Sequence, residues 1–247
     1  MPDRRQPPRR DEYGDDRRGQ RRDTRGEPPR KPVQLQKGGA ELPRWVREEL
    51  VRVTPKERRD AALQLLTSAA VAFSEGRFRA AMSRLLETKS LSPRTATVRE
   101  LLGLSAYRTR QWQVALSELR TFRRLTGDTT HMPVEMDSLR ALGRVDDVTK
   151  TWELWRELGG SRQTEDEARV VYASFLLDQG EARKAWAVIK PGKLIAQPGE
   201  SELRRWYVAA RVAAALDDQD AGRRLMQAVE KADPAFPGLD ELEQQLG

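Results

Sequence analysis

Cysteine is absent from this 247-residue chain, and histidine occurs once, as His131. Without cysteine there can be no disulfide and no thiolate metal site. A lone histidine has no second histidine or cysteine to share a metal with, and it cannot build the usual nucleophilic triad. His131 lies in TGDTTHMP, which reads as a solvated loop. No apolar run approaches the ~20 residues that span a bilayer. The hydrophilic N-terminus lacks the apolar core of a secretory signal. These absences predict a cytoplasmic protein with no membrane segment. Asparagine is also missing, isoleucine occurs twice, and arginine outnumbers lysine by 36 to 9. Such usage fits a high-GC genome, so arginine abundance by itself is poor evidence for phosphate binding.

The net charge of +7 is unevenly spread. Residues 1–40 hold 12 Lys+Arg against 7 Asp+Glu, together with six prolines and five glycines. Met1, Tyr13, Val33 and Leu35 are the large apolar side chains there. That composition cannot offset the entropy of ordering, so the segment is predicted to be a disordered N-terminal tail. Within it, RRGQRRDTRG places Arg17, Arg18, Arg21, Arg22 and Arg25 as candidates for nucleic-acid contact. Arginine-glycine tails of RNA-binding proteins interleave aromatics that stack on bases, and here Tyr13 stands alone.

Residues 41–247 carry hydrophobic side chains at helical spacing throughout. In ATVRELLGLSAYRTRQWQVALSELRTFRRLTGD, Leu101, Leu102 and Leu104 with Gly103 and Ala106 mark one helix. Val114, Leu116, Leu119 and Phe122 mark a second, and the polar Thr109-Arg110-Gln111 joins them as antiparallel neighbours. Gly103 and Ala115 are placed where the two helices cross, and Trp112 opens the second. The pattern recurs. Ala81 stands 34 residues before Ala115, Val148 33 after it, Ala185 37 further on and Gly222 another 37 on. Pro133 predicts a late start and a short first helix in the third unit, and Gly159-Gly160 an end to its second helix. Leu42, Val46 and Leu50 with Trp45 predict a helix over 43–53, and Leu239, Leu242 and Leu246 one over 238–246; each caps an end of the array. Thr54-Pro55-Lys56-Glu57 reads as a capped helix start.

Leu-Gly followed by an aromatic, Trp and Ala at these positions, with Pro93 closing the first unit, resembles the tetratricopeptide (TPR) repeat of about 34 residues. The expected fold is all-α: an α-solenoid of about five TPR-like helical hairpins over 62–95, 96–128, 131–160, 166–190 and 203–234. Taken whole, the chain resembles an uncharacterised family of cytoplasmic TPR proteins from high-GC Gram-positive bacteria, a membership that implies no activity. TPR proteins bind partners in a concave groove lined by the first helix of each repeat. Carried over residue by residue, that groove includes Leu66, Ala70, Phe73, Glu100, Leu104, Tyr107, Arg108, Asp137 and Arg140. Val170, Ser174, Leu177, Asp178, Arg204, Tyr207 and Arg211 continue it. Tyr107, Arg108, Arg140, Arg204, Tyr207 and Arg211 are the candidate partner-binding residues, since tyrosine and arginine dominate interface hot spots. The missing asparagine argues against a Lys/Asn/Arg carboxylate clamp.

Little in the sequence suggests catalysis. Pro191-Gly192-Lys193-Leu194 lacks the Ser or Thr and the upstream glycine of a phosphate loop. Asp146-Asp147 and Asp217-Asp218 fall at predicted helix starts, where carboxylates favour the helix N-terminus. Trp112, Trp152, Trp155, Trp186 and Trp206 sit among apolar neighbours and read as packing residues. No catalytic, metal or cofactor site is assigned and no cofactor is expected. Three readings remain: a non-enzymatic scaffold that binds a protein or peptide in its groove, an RNA-associated protein acting through the basic tail, and a solenoid that acts on or senses a small molecule.

Overall fold

The computed structural model describes residues 41–247, and every regular element among them is helical. Five antiparallel hairpins follow one another: α2 (Arg59–Ser74) with α3 (Phe78–Leu91), α4 (Ala96–Arg108) with α5 (Trp112–Thr126), and α6 (Met132–Ala141) with α7 (Val145–Leu158), then α8 (Arg162–Asp178) with α9 (Ala182–Ile189) and α10 (Glu200–Ala215) with α11 (Gln219–Ala232). α1 (Arg44–Val53) precedes them and α12 (Leu239–Leu246) follows. Each helix packs against its neighbours in sequence, so the array is an α-solenoid. The expected disordered tail and its arginines Arg17, Arg18, Arg21, Arg22 and Arg25 lie outside the described residues.

All five hairpins turn in the same way. The turn residue has positive φ at Gly76 (73°), Arg110 (60°), Gly143 (69°), Gly180 (75°) and Asp217 (61°). The amide of the following residue reaches back to the carbonyl five earlier, as in Arg77 to Ala72 at 2.8 Å and Asp218 to Ala213 at 3.0 Å. This is the Schellman closure of a helix end. Counting five residues on from each turn gives Ala81, Ala115, Val148, Ala185 and Gly222, all buried. The repeat seen in the sequence is therefore a repeat of one turn and of one small residue behind it.

Gly103 explains how closely the helices of one hairpin approach. A Cβ there would lie 2.6 Å from Leu119 Cγ, so the glycine receives Leu119, one turn beyond the Ala115 expected from the sequence. At the far end a Cβ on Gly222 would lie 2.4 Å from Leu246 Cδ2 of α12.

Three local readings change. Thr54 does not start a helix. It ends α1, its hydroxyl meets Ser92 Oγ at 2.6 Å, and Lys56–Arg58 forms a 3-10 turn before α2. The fourth hairpin begins at Arg162, where the Ser161 hydroxyl accepts from the Thr164 amide at 3.1 Å. His131 is not solvated: its side chain is 12% exposed and its Nε2 lies 2.9 Å from Glu100 Oε1. The loop that carries it packs under Phe122, with ring centroids 5.3 Å apart. A run of threonines around a histidine looks like a surface loop, and nothing in it announces a buried carboxylate on another helix.

Candidate functional site

The first helices α2, α4, α6, α8 and α10 form one face, and each end of that face is covered. At one end Leu66 and Ala70 of α2 are buried in a single cluster with Leu42, Val46 and Leu50 of the α1 segment. These two expected groove residues are therefore core. Glu49 of α1 reaches across to α4, accepting from the Ala96 amide at 2.6 Å and from the Thr97 hydroxyl at 2.6 Å. Its carboxylate neutralises the amides of a helix N-terminus and fixes α1 in place. At the other end Tyr207 is covered by the chain entering α12. Its hydroxyl donates to the Gly238 carbonyl at 3.2 Å, and its ring lies 5.2 Å from that of Phe236.

Between these covers the face of α4, α6 and α8 carries a chain of polar contacts. The Tyr107 hydroxyl on α4 donates to Asp137 Oδ2 on α6 at 2.5 Å. Arg140, one helical turn along α6, donates from Nε to Asp137 Oδ1 at 3.0 Å. Its other arm reaches Asp178 on α8 at 2.6 Å. Burial of Tyr107 and the charge of Asp137 push the phenol well above its ordinary pKa of 10, so it stays a neutral donor. Burial works against the Arg140 charge, but Asp137 and Asp178 more than offset it, and its pKa is raised. The Tyr107 ring also meets Trp112 edge-on at 5.5 Å. Tyr107 thus belongs both to the face and to the packing beneath it.

The other candidates are placed differently. Arg108 is exposed, with its guanidinium 5.8 Å from the Phe78 ring centre. Arg204 is exposed and pairs with Glu200 one turn back on α10. Arg211 is half-buried and makes no hydrogen bond or ion pair among the described residues. The structure therefore links Tyr107 and Arg140 directly, through Asp137. Arg108, next to Tyr107 at the end of α4, and Arg211 on α10 make no ion pair among the described residues.

Beneath the face, buried carboxylates fix the spacing of successive hairpins. Glu135 of α6 is 1% exposed and is gripped by Arg123 of α5 through Nε at 3.0 Å and Nη2 at 3.2 Å. Glu118 of α5 takes Lys89 of α3 at 2.6 Å and Arg99 of α4 at 2.7 Å. Asp166 of α8 takes Arg205 of α10 at 2.9 Å. The sequence shows these residues only as scattered charges, because each pair spans two helices. On the second-helix side, α9 and α11 enclose a shallow cleft of about 270 Å³, lined by Trp186, Lys190, Asp218 and Arg224 among others. Asp218 there caps α11 by accepting from the Ala221 amide at 3.1 Å.

Among the described residues no group of three His, Asp or Glu side chains is placed to hold a metal ion, and no helix is long and apolar enough to cross a membrane. The arrangement offers hydrogen-bonding and charged surface on a rigid helical face, which suits recognition by contact. Compared with known proteins, the chain matches no family model and no curated protein.

Proposed function

We propose that the chain is a non-enzymatic, TPR-type scaffold of the cytoplasm that binds a protein or peptide partner along its first-helix face. One observation carries this reading: between two covered ends, the face of α4, α6 and α8 presents Tyr107 and Arg140 joined through Asp137, with Arg108 exposed at the end of α4 beside Phe78 of α3. Tyrosine and arginine on a preorganised surface give hot-spot contacts at small entropic cost. Arg140 is held by two aspartates before any partner arrives, so little side-chain freedom remains to be lost. Arg108 and Arg211 supply charge that a partner can neutralise.

Affinity capture from native lysate, with and without RNase, tests this against an RNA-associated role for Arg17, Arg18, Arg21, Arg22 and Arg25. The scaffold reading expects a protein partner retained after RNase treatment and after deletion of residues 1–38. It also expects a loss of about tenfold or more in affinity, or about 1.4 kcal/mol, for the Arg108→Ala/Arg211→Ala variant. Capture that vanishes with RNase or with the deletion would replace it with the nucleic-acid reading.

A further inference from the structure

The two ends of the solenoid carry opposite charge. Residues 1–40 have a net charge of +5, and residues 41–95, through the first hairpin, add 11 Lys+Arg against 7 Asp+Glu. Residues 216–247 reverse the balance, with 3 Lys+Arg against 8 Asp+Glu. At the first end Arg52, Lys56 and Arg58 are exposed, and none has an ion-pair partner among the described residues. Exposed Val51 lies beside them on α1. Glu48, Glu57 and Asp60 are the exposed acidic groups nearby in sequence; Glu48 is taken by Arg44, and the other two are outnumbered by Arg52, Lys56 and Arg58. At the other end the outer face of α12 exposes Asp240, Glu241 and Glu243, while Leu242 and Leu246 face inward. Asp220 and Glu230 of α11 are exposed as well, and none of these five has an ion-pair partner among the described residues.

A polar outer face on a capping helix keeps a repeat array from stacking on itself by apolar contact. It does not require one sign of charge, and a mixed face would serve equally. The opposite net balance, which outweighs exposed Arg223, Arg224 and Lys231 on α11, does something further: it makes the two ends complementary to each other. We propose that the acidic α11–α12 face receives the basic α1 end of a second copy of this chain, giving head-to-tail association. The contact is heterologous, so a dimer leaves one free end of each sign and can add further copies. Exposed ion pairs are weak singly and are screened by salt. The association is therefore dilute-reversible and falls away as ionic strength rises. It leaves the face of α4, α6 and α8 open, and it is independent of the partner reading given above.

Sedimentation equilibrium of the full chain tests this. Salt is varied from about 20 to about 300 mM, over which the screening length falls from about 20 Å to about 6 Å. At low salt the average mass should rise above 28.2 kDa with protein concentration, and at high salt it should return to that value. The Asp240→Lys/Glu241→Lys/Glu243→Lys variant should lose about tenfold or more in association constant. Mixing it with the Arg52→Glu/Lys56→Glu/Arg58→Glu variant should restore association beyond either alone. If the lysine variant loses its cooperative helical melt, Asp220→Lys/Glu230→Lys on α11 replaces it with the same expectation. A mass of 28.2 kDa at every concentration at low salt overturns the proposal, as it would if residues 1–40 occupied the acidic face of their own chain. Association unchanged by charge reversal overturns it too.

Discussion

The junction between the fourth and fifth hairpins and the junction between the second and third are built on different principles. In the former, α8 and α10 pack directly, and Ala173, Leu176, Leu203, Trp206 and Ala210 share one buried cluster. Alanines there let two helices approach, and a tryptophan fills what remains. In the latter, α4 and α6 make only slight direct contact, and hydrogen bonds bridge them: Tyr107 to Asp137 and His131 to Glu100. α6 is 10 residues long where α8 is 17 and α10 is 16, so it offers less apolar surface to a neighbouring first helix. α5 supplies further contact, through Arg123 with Glu135 and through Leu116, which shares a buried cluster with Leu139. The fourth–fifth junction thus adds the Asp166–Arg205 pair to a large apolar contact, whereas the second–third junction joins its first helices by polar bridges, in the middle of the uncovered face.

The largest test of that contrast is Trp206→Ala. Trp206 is 4% exposed, and its removal should cost about 3–5 kcal/mol, read from denaturant unfolding. Within a hairpin, Gly103→Ala forces a methyl against the buried Leu119 and should cost about 1–3 kcal/mol. At the polar junction Tyr107→Phe removes one hydrogen bond and should cost about 1 kcal/mol at neutral pH. A cost for Tyr107→Phe equal to that of Trp206→Ala would break the contrast. The pH dependence sharpens it. The Tyr107 pKa is raised on folding by burial and by Asp137, so its contribution is complete below pH 10 and declines as pH climbs toward the folded value. Unfolding curves collected above pH 10 should show a steeper loss for wild type than for Tyr107→Phe.

The smallest expected effect concerns the turns. Arg110 holds φ 60° where three other hairpins have glycine. Arg110→Gly should gain up to about 1 kcal/mol, because a left-handed residue with a Cβ is strained and glycine is not. No gain would mean that the strain is relieved locally.

The hairpin array was legible in the sequence because its determinants are local: one helix period, one turn, one small residue five positions beyond the turn. Ala81, Ala115, Val148, Ala185 and Gly222 could be spaced by eye. The face was legible only in part. Tyr107 and Arg140 came from position in the repeat, but their meeting through Asp137 depends on how two hairpins sit together, which no local pattern encodes. The register of Leu66 and Ala70 points them to the groove, but they are buried in a cluster that includes the α1 segment, which lies outside the repeat. His131 and Thr54 differ from their sequence pattern for a related reason. Loop-forming residues can be buried when a distant side chain meets them, and Glu100 and Ser92 do so.

The central claim is that a partner lies along α4, α6 and α8. Hydrogen exchange of the full chain, with and without a peptide selected on it from a random display library, tests this most directly. The account predicts added protection along these first helices, around Tyr107, Asp137, Arg140 and Asp178, with the second helices α7, α9 and α11 unchanged. Protection confined to the second helices, or to residues 1–40, would contradict it.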